Sequence, residues 1–334
     1  MLVGLDPSSY LLHPFCRLLC RSGLTQLHRP TLPSNKRFFP LESRLSALPL
    51  ALALSEPSPP RSVQACPPKM TADAISGSGP ASGSPQPLRL LILEADTPQP
   101  ITNAKYGGYR GVFTALLTAA AESMVPPRQL SDVATITAHN IVEDMQSYPP
   151  LDDVDAVLIT GSRHTAYEDD PWILKLVEYA RQAIDTGRIK VVGVCFGHQI
   201  IGRAMGARLG RSDKGWEVAV TEVDLTDKGK AIFQLDKMRI HQMHRDVVLE
   251  FPKGAVPLGG NDMCPVQAMY SPGRYISVQG HPEFTGDIVT EVLTNRHKAG
   301  IFSDDMFEDG MKRTPIEHDG VTIAKAFLNF MRSD

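Results

Sequence analysis

Three side chains in this sequence have the types and the spacing of a nucleophilic catalytic site. Cys195 stands in Gly193-Val-Cys-Phe-Gly197, after the apolar run 189–194 and before a helical stretch. A sharp strand-to-helix turn at a residue between two glycines is the pattern of a nucleophile elbow, because a Cβ at either flank would collide with the turn. The helix dipole and free N–H groups there favour a thiolate and can receive an oxyanion. A buried, inert cysteine is the simpler alternative, and the two glycines count against it.

A base for this thiol follows a second predicted strand, in Tyr275-Ile-Ser-Val-Gln-Gly-His-Pro-Glu-Phe284. His281 and Glu283 are two residues apart, so in an extended segment both side chains point to one face, and Pro282 fixes φ between them. A histidine with a pKa near neutrality can take a proton from the thiol and deliver it to a leaving amine. The sequence therefore predicts Cys195 as nucleophile, His281 as base and Glu283 as the group that orients the base.

The elements that must position these residues begin at residue 88, where apolar strand-like runs alternate with helical stretches. Strands are predicted at 88–94, 133–137, 156–160 and 191–194, and helices at 104–124, 172–185 and 198–205. Alternating segments at 216–225, 256–258, 266–269 and 275–279 predict antiparallel hairpins, and 287–294 and 323–331 predict amphipathic helices. The fold class is therefore α/β, with a mostly parallel central sheet, helices on both faces and antiparallel hairpin additions.

Residues 1–86 lack such a period and are rich in proline, serine and arginine, so they are predicted to be a disordered extension. The first seventy residues hold eight Lys or Arg against three Asp or Glu. This composition resembles a mitochondrial transit segment, although its prolines would break the amphipathic helix of such peptides. A true start at Met70 is the plainer alternative.

Composition excludes several classes of protein. The five cysteines show no CxxC pair, which argues against a disulfide framework or a zinc site, and no dinucleotide or phosphate-loop pattern is present. With a net charge of −3 and a basic N-terminal segment, the remainder is acidic, so nucleic acid is not expected as a partner. The longest apolar run, around 45–54, is too short to span a bilayer. We expect a cytoplasmic protein without cofactor or metal.

The two motifs together carry a family resemblance. Gly193-Val-Cys-Phe-Gly-His-Gln199 with His281-Pro-Glu283 resembles the paired signature of class I glutamine amidotransferases, over about residues 88–300. Free-standing fungal and plant members, including γ-glutamyl peptidases, are also similar in the stretch 160–172. The resemblance implies a flavodoxin-like amidotransferase domain at 87–300, with 301–334 as a helical extension packed on it. It also implies a Cys-His-Glu triad that acts through a γ-glutamyl thioester.

Carried over by position, the resemblance implies further roles. The turn at Gly161-Ser162 and the amide of Phe196 would form the oxyanion hole, and Gln199 would contact the α-amino or α-carboxylate end of the substrate. The segment Met243-His244-Arg245-Asp246 matches another position that contacts this end, where synthase-coupled relatives usually carry Ser-His. Arg245 can reach a substrate carboxylate or lie in solvent. His164, His241 and His318 remain unassigned.

Three functions compete. The favoured one is a stand-alone hydrolase of a γ-glutamyl amide or peptide, such as glutamine, glutathione or a conjugate, in specialised-metabolite or glutathione-conjugate processing. The second is a glutaminase subunit that delivers ammonia to a separate synthase; the sequence after residue 300 is predicted to hold only a helical tail and no acceptor domain. The third is a catalytically silent module that binds a γ-glutamyl ligand or a partner protein, which would not need all three triad side chains.

Overall fold

The computed structural model describes residues 86–333. The extension predicted at 1–86 lies outside the described residues, apart from Gln86, and stays a prediction.

Within the described residues, the fold is built on a nine-stranded sheet. The strands of these residues are β1 (Leu88–Glu94), β2 (Ala134–Asn140), β3 (Ala156–Ile159), β4 (Lys190–Val194), β5 (Leu209–Arg211), β6 (Glu217–Leu225), β7 (Lys237–His244), β8 (Asp246–Val248), β9 (Val256–Gly260), β10 (Ala268–Ser271) and β11 (Tyr275–Val278). Strands β5 and β8 pair with each other in a separate small sheet, and the other nine form the large sheet. The order in the large sheet is β2-β1-β3-β4-β11-β10-β9-β6-β7. The five strands from β2 to β11 pair in parallel, whereas β10, β9, β6 and β7 extend the sheet antiparallel. The predicted fold class is confirmed.

Helices cover both faces of this sheet. They are α1 (Pro100–Tyr106), α2 (Tyr109–Glu122), α3 (Pro171–Asp185), α4 (Phe196–Ala204), α5 (Asp227–Phe233), α6 (Gly286–Lys298), α7 (Asp304–Arg313) and α8 (Gly320–Met331). Successive residues of β1 show why: Leu90 and Ile92 pack into the core on the α2 and α8 side, and Leu91 and Leu93 into the core on the α3 and α4 side. A strand buried on both faces must be apolar throughout, which explains its uninterrupted run.

One predicted helix is wrong in extent. The segment 104–124 forms two helices rather than one, because Gly107 and Gly108 adopt φ values of 69° and 112° and end α1 before α2 starts. Positive φ breaks the helical path, and glycine reaches it without a Cβ clash. The helix predicted from 198 begins earlier, at Phe196.

The C-terminal segment contributes to the main core. Helix α8 packs on α2, and its residues Ile323, Phe327 and Phe330 are buried in the same cluster as Leu90. Within the segment predicted as a helical extension at 301–334, helix α8 thus covers one face of the sheet. Across residues 86–333, no helix has both the length and the apolar character needed to cross a membrane.

Candidate active site

Cys195 occupies a sharp turn between β4 and α4. Its φ of 52° and ψ of −101° lie outside the regions that L-residues ordinarily adopt. The flanking glycines are required by close approach: a Cβ on Gly193 would lie 2.6 Å from the Gly197 carbonyl oxygen, and one on Gly197 would lie 2.2 Å from the Ile159 carbonyl oxygen. The Cys195 N–H donates to the Val278 carbonyl at 3.0 Å, which ties the turn to β11. The turn therefore has the strained geometry that the sequence motif predicts.

His281 and Glu283 follow the end of β11 and are buried as a pair. His281 Nδ1 lies 2.8 Å from Glu283 Oε1, and the Glu283 side chain is inaccessible to solvent. The ring of Phe284 stacks on the imidazole at 3.9 Å, and the His281 N–H donates to the His241 carbonyl at 2.7 Å. The imidazole is thus held through its backbone, its Nδ1 atom and one ring face.

The electrostatics favour a protonated imidazole. Burial alone would lower the pKa of His281, but the negative charges of Cys195 and Glu283 and hydrogen bonding to both side chains outweigh it, raising the pKa to about 10. His281 is therefore protonated across the neutral range. A cysteine nucleophile beside an imidazolium can attack a carbonyl carbon, and the imidazolium can then protonate a leaving amine.

The loop after β3 lies directly against this pair. A Cβ placed on Gly161 would come within 2.8 Å of His281 Cε1 and 3.7 Å of Cys195 Cβ, so only a glycine fits between them without displacement. Phe196 is the first residue of α4, so its N–H has no acceptor in a preceding helical turn. Ser162 lines the cleft beside Cys195, and its hydroxyl accepts the His164 N–H at 3.1 Å. All three residues predicted for an oxyanion hole are close to Cys195 in the fold.

Cys195 opens onto a cleft of about 540 Å³. The predicted substrate-contacting residues Gln199, His244 and Arg245 all line it. Its other walls include Gln99, Arg163, His164, Trp216, Met243, Asp246, Asn295 and Arg296. A cleft of this size lies within the range of small-molecule sites.

Two of the predicted contact residues are held by buried hydrogen bonds. The Gln199 amide donates to the Asp246 carbonyl at 2.7 Å and to Gln279 Oε1 at 3.2 Å. His244 Nε2 lies 3.1 Å from the buried carboxylate of Glu217. Burial alone would raise the pKa of Glu217, but hydrogen bonds, with that from His244 foremost, lower it. The Gln199 side chain is thus held at the cleft wall by two hydrogen bonds. His244, in contrast, has a buried Nδ1 atom without a hydrogen-bond partner in the protein.

Arg245 does not simply lie in solvent. Its guanidinium carbon is 5.2 Å from the centroid of the Trp216 ring, and its Nε atom is buried without a hydrogen-bond partner. The Arg245 side chain thus packs against Trp216 at the cleft wall rather than extending into solvent.

Sequence reasoning missed three residues of the site. Gln279 directs its amide toward Cys195 Sγ at 3.6 Å, and Trp216 and Arg296 line the cleft with the Arg296 guanidinium 4.8 Å from the indole centroid. Gln279 lies two residues before His281, at the end of the strand predicted at 275–279. Its position at a strand end next to the predicted base was a signal that could have identified it. Trp216 and Arg296 come from a loop and from α6, and no local spacing connects them.

The unassigned histidines have different surroundings. His164 lines the cleft and meets Trp172 edge-on at 5.1 Å. The ring centroids of His241 and His318 lie 4.6 Å apart. Burial first, then the charges of His318 and His281, lowers the pKa of His241 to about 3. His241 and His318 are buried or half-buried rather than solvated.

Cys264 is the other cysteine in the part of the chain that the structure describes, and it is fully buried. Burial raises the pKa of its thiol to about 12, so it is poorly suited to act as a nucleophile. No cluster of three or more His, Cys, Asp or Glu side chains that could bind a metal occurs in residues 86–333.

Known proteins resemble this chain in sequence and in fold. The family model "Glutamine amidotransferase class-I" matches residues 128–298. A Schizosaccharomyces pombe protein named glutamine amidotransferase-like is 32% identical over 246 residues, which cover 72% of this chain and 98% of that protein. Gamma-glutamyl peptidase 2 of Arabidopsis thaliana is 28% identical over 251 residues, covering 73% and 96%.

Among solved structures, a glutamine amidotransferase of Thermotoga maritima superposes with a TM-score of 0.53 at 15% identity, over 74% of this chain and 99% of that one. This likeness shows a shared fold. The family model covers half of the chain, and the S. pombe relative is matched over almost its whole length. The chain therefore belongs to the class I glutamine amidotransferase family.

Proposed function

We propose that this protein is a cysteine hydrolase that cleaves a γ-glutamyl amide or peptide bond, with Cys195, His281 and Glu283 as its triad. The observation that carries the proposal is the position of Cys195 at a strained elbow, beside a buried imidazole that is paired with a carboxylate at 2.8 Å. The similarity to a gamma-glutamyl peptidase of A. thaliana over most of both chains supports the γ-glutamyl substrate class.

In the proposed reaction, the Cys195 thiolate attacks the γ-carbonyl carbon and forms a tetrahedral intermediate. The N–H groups of Phe196 and of the Gly161-Ser162 turn stabilise its oxyanion, a contribution typically worth about 10²- to 10³-fold in rate for each donor. The His281 imidazolium protonates the leaving nitrogen, the C–N bond breaks, and a γ-glutamyl thioester remains. Water then attacks the thioester while His281 takes its proton, and glutamate leaves as the thiolate re-forms.

Glu283 keeps the imidazole oriented through Nδ1 and stabilises its charge. Gln279 adds a weak N–H···S contact to Cys195 at 3.6 Å. These roles require no cofactor.

We further propose that the preferred substrates are γ-glutamyl compounds larger than glutamine and that turnover needs no synthase partner. The cleft of about 540 Å³ supports the first point, since it extends from Cys195 past Trp216 to α6. The fit of Gly161 against both Cys195 and His281 supports the second, because this loop is already seated at the nucleophile.

The test is glutamate release from glutamine, glutathione and a γ-glutamyl dipeptide, each incubated separately with the purified protein. Cys195→Ala is expected to lose activity by at least about 10³-fold while its melting temperature stays near wild type. Cys264→Ala, a buried cysteine outside the cleft, is the matched control and is expected to remain active. Residual activity of Cys195→Ala within tenfold of wild type would refute the assignment. Near inertness toward all three compounds, with strong activation by a co-purifying synthase, would favour the ammonia-donor function instead.

A further inference from the structure

We propose that the Arg245 and Arg296 guanidiniums, placed on the Trp216 indole, form a subsite for an acidic group on the leaving side of the substrate. The inference rests on the proposed function, and it assigns the Arg245 side chain to the leaving side rather than to the α end that the family resemblance implies. It narrows the substrate class to γ-glutamyl amides whose leaving amine itself carries a carboxylate.

The two guanidiniums share one aromatic ring. Their central carbons lie 5.2 Å and 4.8 Å from the Trp216 centroid, and Phe302 packs edge-on against the same indole at 5.2 Å. The indole is therefore fixed between segments and holds both cations at the cleft wall. Two like charges held against one ring repel each other unless an anion lies with them.

Neither guanidinium has a partner that neutralises it. Among residues 86–333, neither Arg245 nor Arg296 forms an ion pair with a carboxylate. Arg245 Nε and Arg296 Nη1 are buried and lack hydrogen-bond partners. Buried donors of this kind are costly when unpaired, so their presence at a cleft indicates a missing acceptor.

The other arginines of the cleft are already compensated. Arg163 pairs with Asp96 at 2.5 Å, and Arg211 pairs with Asp246 at 3.1 Å. Among the arginines that line the cleft, Arg245 and Arg296 are thus the two without a carboxylate partner.

The charge of the substrate decides which part occupies this subsite. A γ-glutamyl group brings an α-ammonium and an α-carboxylate, so its net charge is zero, as is that of glutamine. It therefore brings no net negative charge to the two guanidiniums. An additional carboxylate on the leaving amine supplies the missing negative charge, and guanidinium groups bind carboxylates in a bidentate geometry that ammonium groups do not match.

The experiment compares two ligands that differ only in this group, γ-glutamyl-glycine and γ-glutamyl-glycinamide. Binding is measured by calorimetry in the Cys195→Ala protein, which cannot turn them over, and kcat/KM is measured in the protein with Cys195 intact. We expect the acid to be favoured over the amide by about tenfold or more in both measurements.

Substitutions of the two arginines test whether the preference for the acid over the amide arises at this subsite. Arg245→Met and Arg296→Met keep much of the side-chain length and remove the charge, and each is expected to reduce the acid-to-amide ratio to less than about threefold. Arg296→Lys, which retains the charge, is expected to keep a larger share of the ratio than Arg296→Met. Arg181→Met on the exposed side of α3 is the matched control and should leave the ratio unchanged.

The other outcomes separate a failure of the subsite from a failure of the proposed function. Equal binding and equal turnover of acid and amide would remove the subsite while leaving the γ-glutamyl hydrolase function intact. An equal loss of affinity for both ligands in the Met variants would mean that the guanidiniums act on the glutamyl part or on the fold. Absence of turnover for both ligands in the intact protein would count against the proposed function, whereas the calorimetric ratio would still decide the subsite.

Discussion

Replacing Glu283 by glutamine tests how the site sets the protonation of its base. The carboxylate lies 2.8 Å from His281 Nδ1 in a fully buried position, and its charge contributes to raising the pKa of His281 to about 10. Glu283→Gln keeps the size of the side chain and removes the charge. His281 must be protonated to donate to the leaving amine, so activity falls as pH rises through the pKa of His281.

The size of the effect follows from this one contact. A hydrogen bond to a charged group contributes about 1.5–3 kcal/mol, and a pKa shift of one unit corresponds to about 1.4 kcal/mol. The alkaline limb of kcat/KM is therefore expected near pH 10 in the wild type and about one to two pH units lower in Glu283→Gln. The remaining charge of Cys195 keeps the limb of the variant above the ordinary histidine pKa of about 6.5.

The assay is a kcat/KM profile from pH 5 to 11 with a γ-glutamyl substrate, together with an NMR titration of the His281 imidazole. Asp287→Asn is the matched control, since Asp287 is an exposed carboxylate at the start of the neighbouring helix α6. An unchanged alkaline limb in Glu283→Gln, or an equal shift in Asp287→Asn, would refute this account of the base.

Three further predictions concern the fold that holds the site. Gly197→Ala would place a Cβ 2.2 Å from the Ile159 carbonyl oxygen, so a loss of about 3 kcal/mol in the free energy of unfolding, measured in urea, and a strong loss of activity are expected; a stable and active variant would contradict the tight elbow. Glu291→Ala removes the carboxylate that accepts two backbone N–H groups and a hydroxyl at the start of α1, and should cost about 2–3 kcal/mol, whereas the exposed Glu308→Ala should cost almost nothing in the same measurement. Burial first, then the charge of His244, lowers the pKa of His198 in the folded protein to about 3. The unfolded state therefore binds the proton at higher pH than the folded state, and the free energy of unfolding falls as pH drops from about 6.5 toward 3. His198→Gln should flatten this slope, and an unchanged slope would show that His198 does not titrate in this way.

Much of the central sheet was predictable because burial on both faces leaves an unbroken apolar run. β1 matches its predicted bounds, and β4 and the elbow were evident from the run before Gly193. By contrast, β7 has the sequence Lys-Met-Arg-Ile-His-Gln-Met-His, whose polar residues conceal a strand. Its buried His244 and Gln242 each make one side-chain contact, with Glu217 and Gln267 respectively, which are distant in sequence and become partners only in the folded chain.

In the candidate site too, residues that lie in short local motifs could be predicted, whereas residues brought together only by the fold could not. Cys195, His281 and Glu283 belong to short motifs whose glycines and proline restrict the backbone locally, so their proximity could be inferred. The group formed by Trp216, Arg245 and Arg296 is assembled from a loop, a strand end and a helix, and only the fold brings it together. The prediction of a single helix at 104–124 was wrong for a local reason. The apolar period continues across Gly107-Gly108, but the positive φ values of these two glycines interrupt the helical backbone.

The most direct test of the central claim is to trap the proposed thioester. The wild-type protein is mixed with a γ-glutamyl substrate, quenched in acid within one turnover and analysed by peptide mass spectrometry. The account predicts the added mass of one γ-glutamyl group on the peptide that contains Cys195, none on the peptide that contains Cys264, and no adduct in Cys195→Ala. Glutamate release at the wild-type rate by Cys195→Ala, or an adduct on another residue, would contradict it.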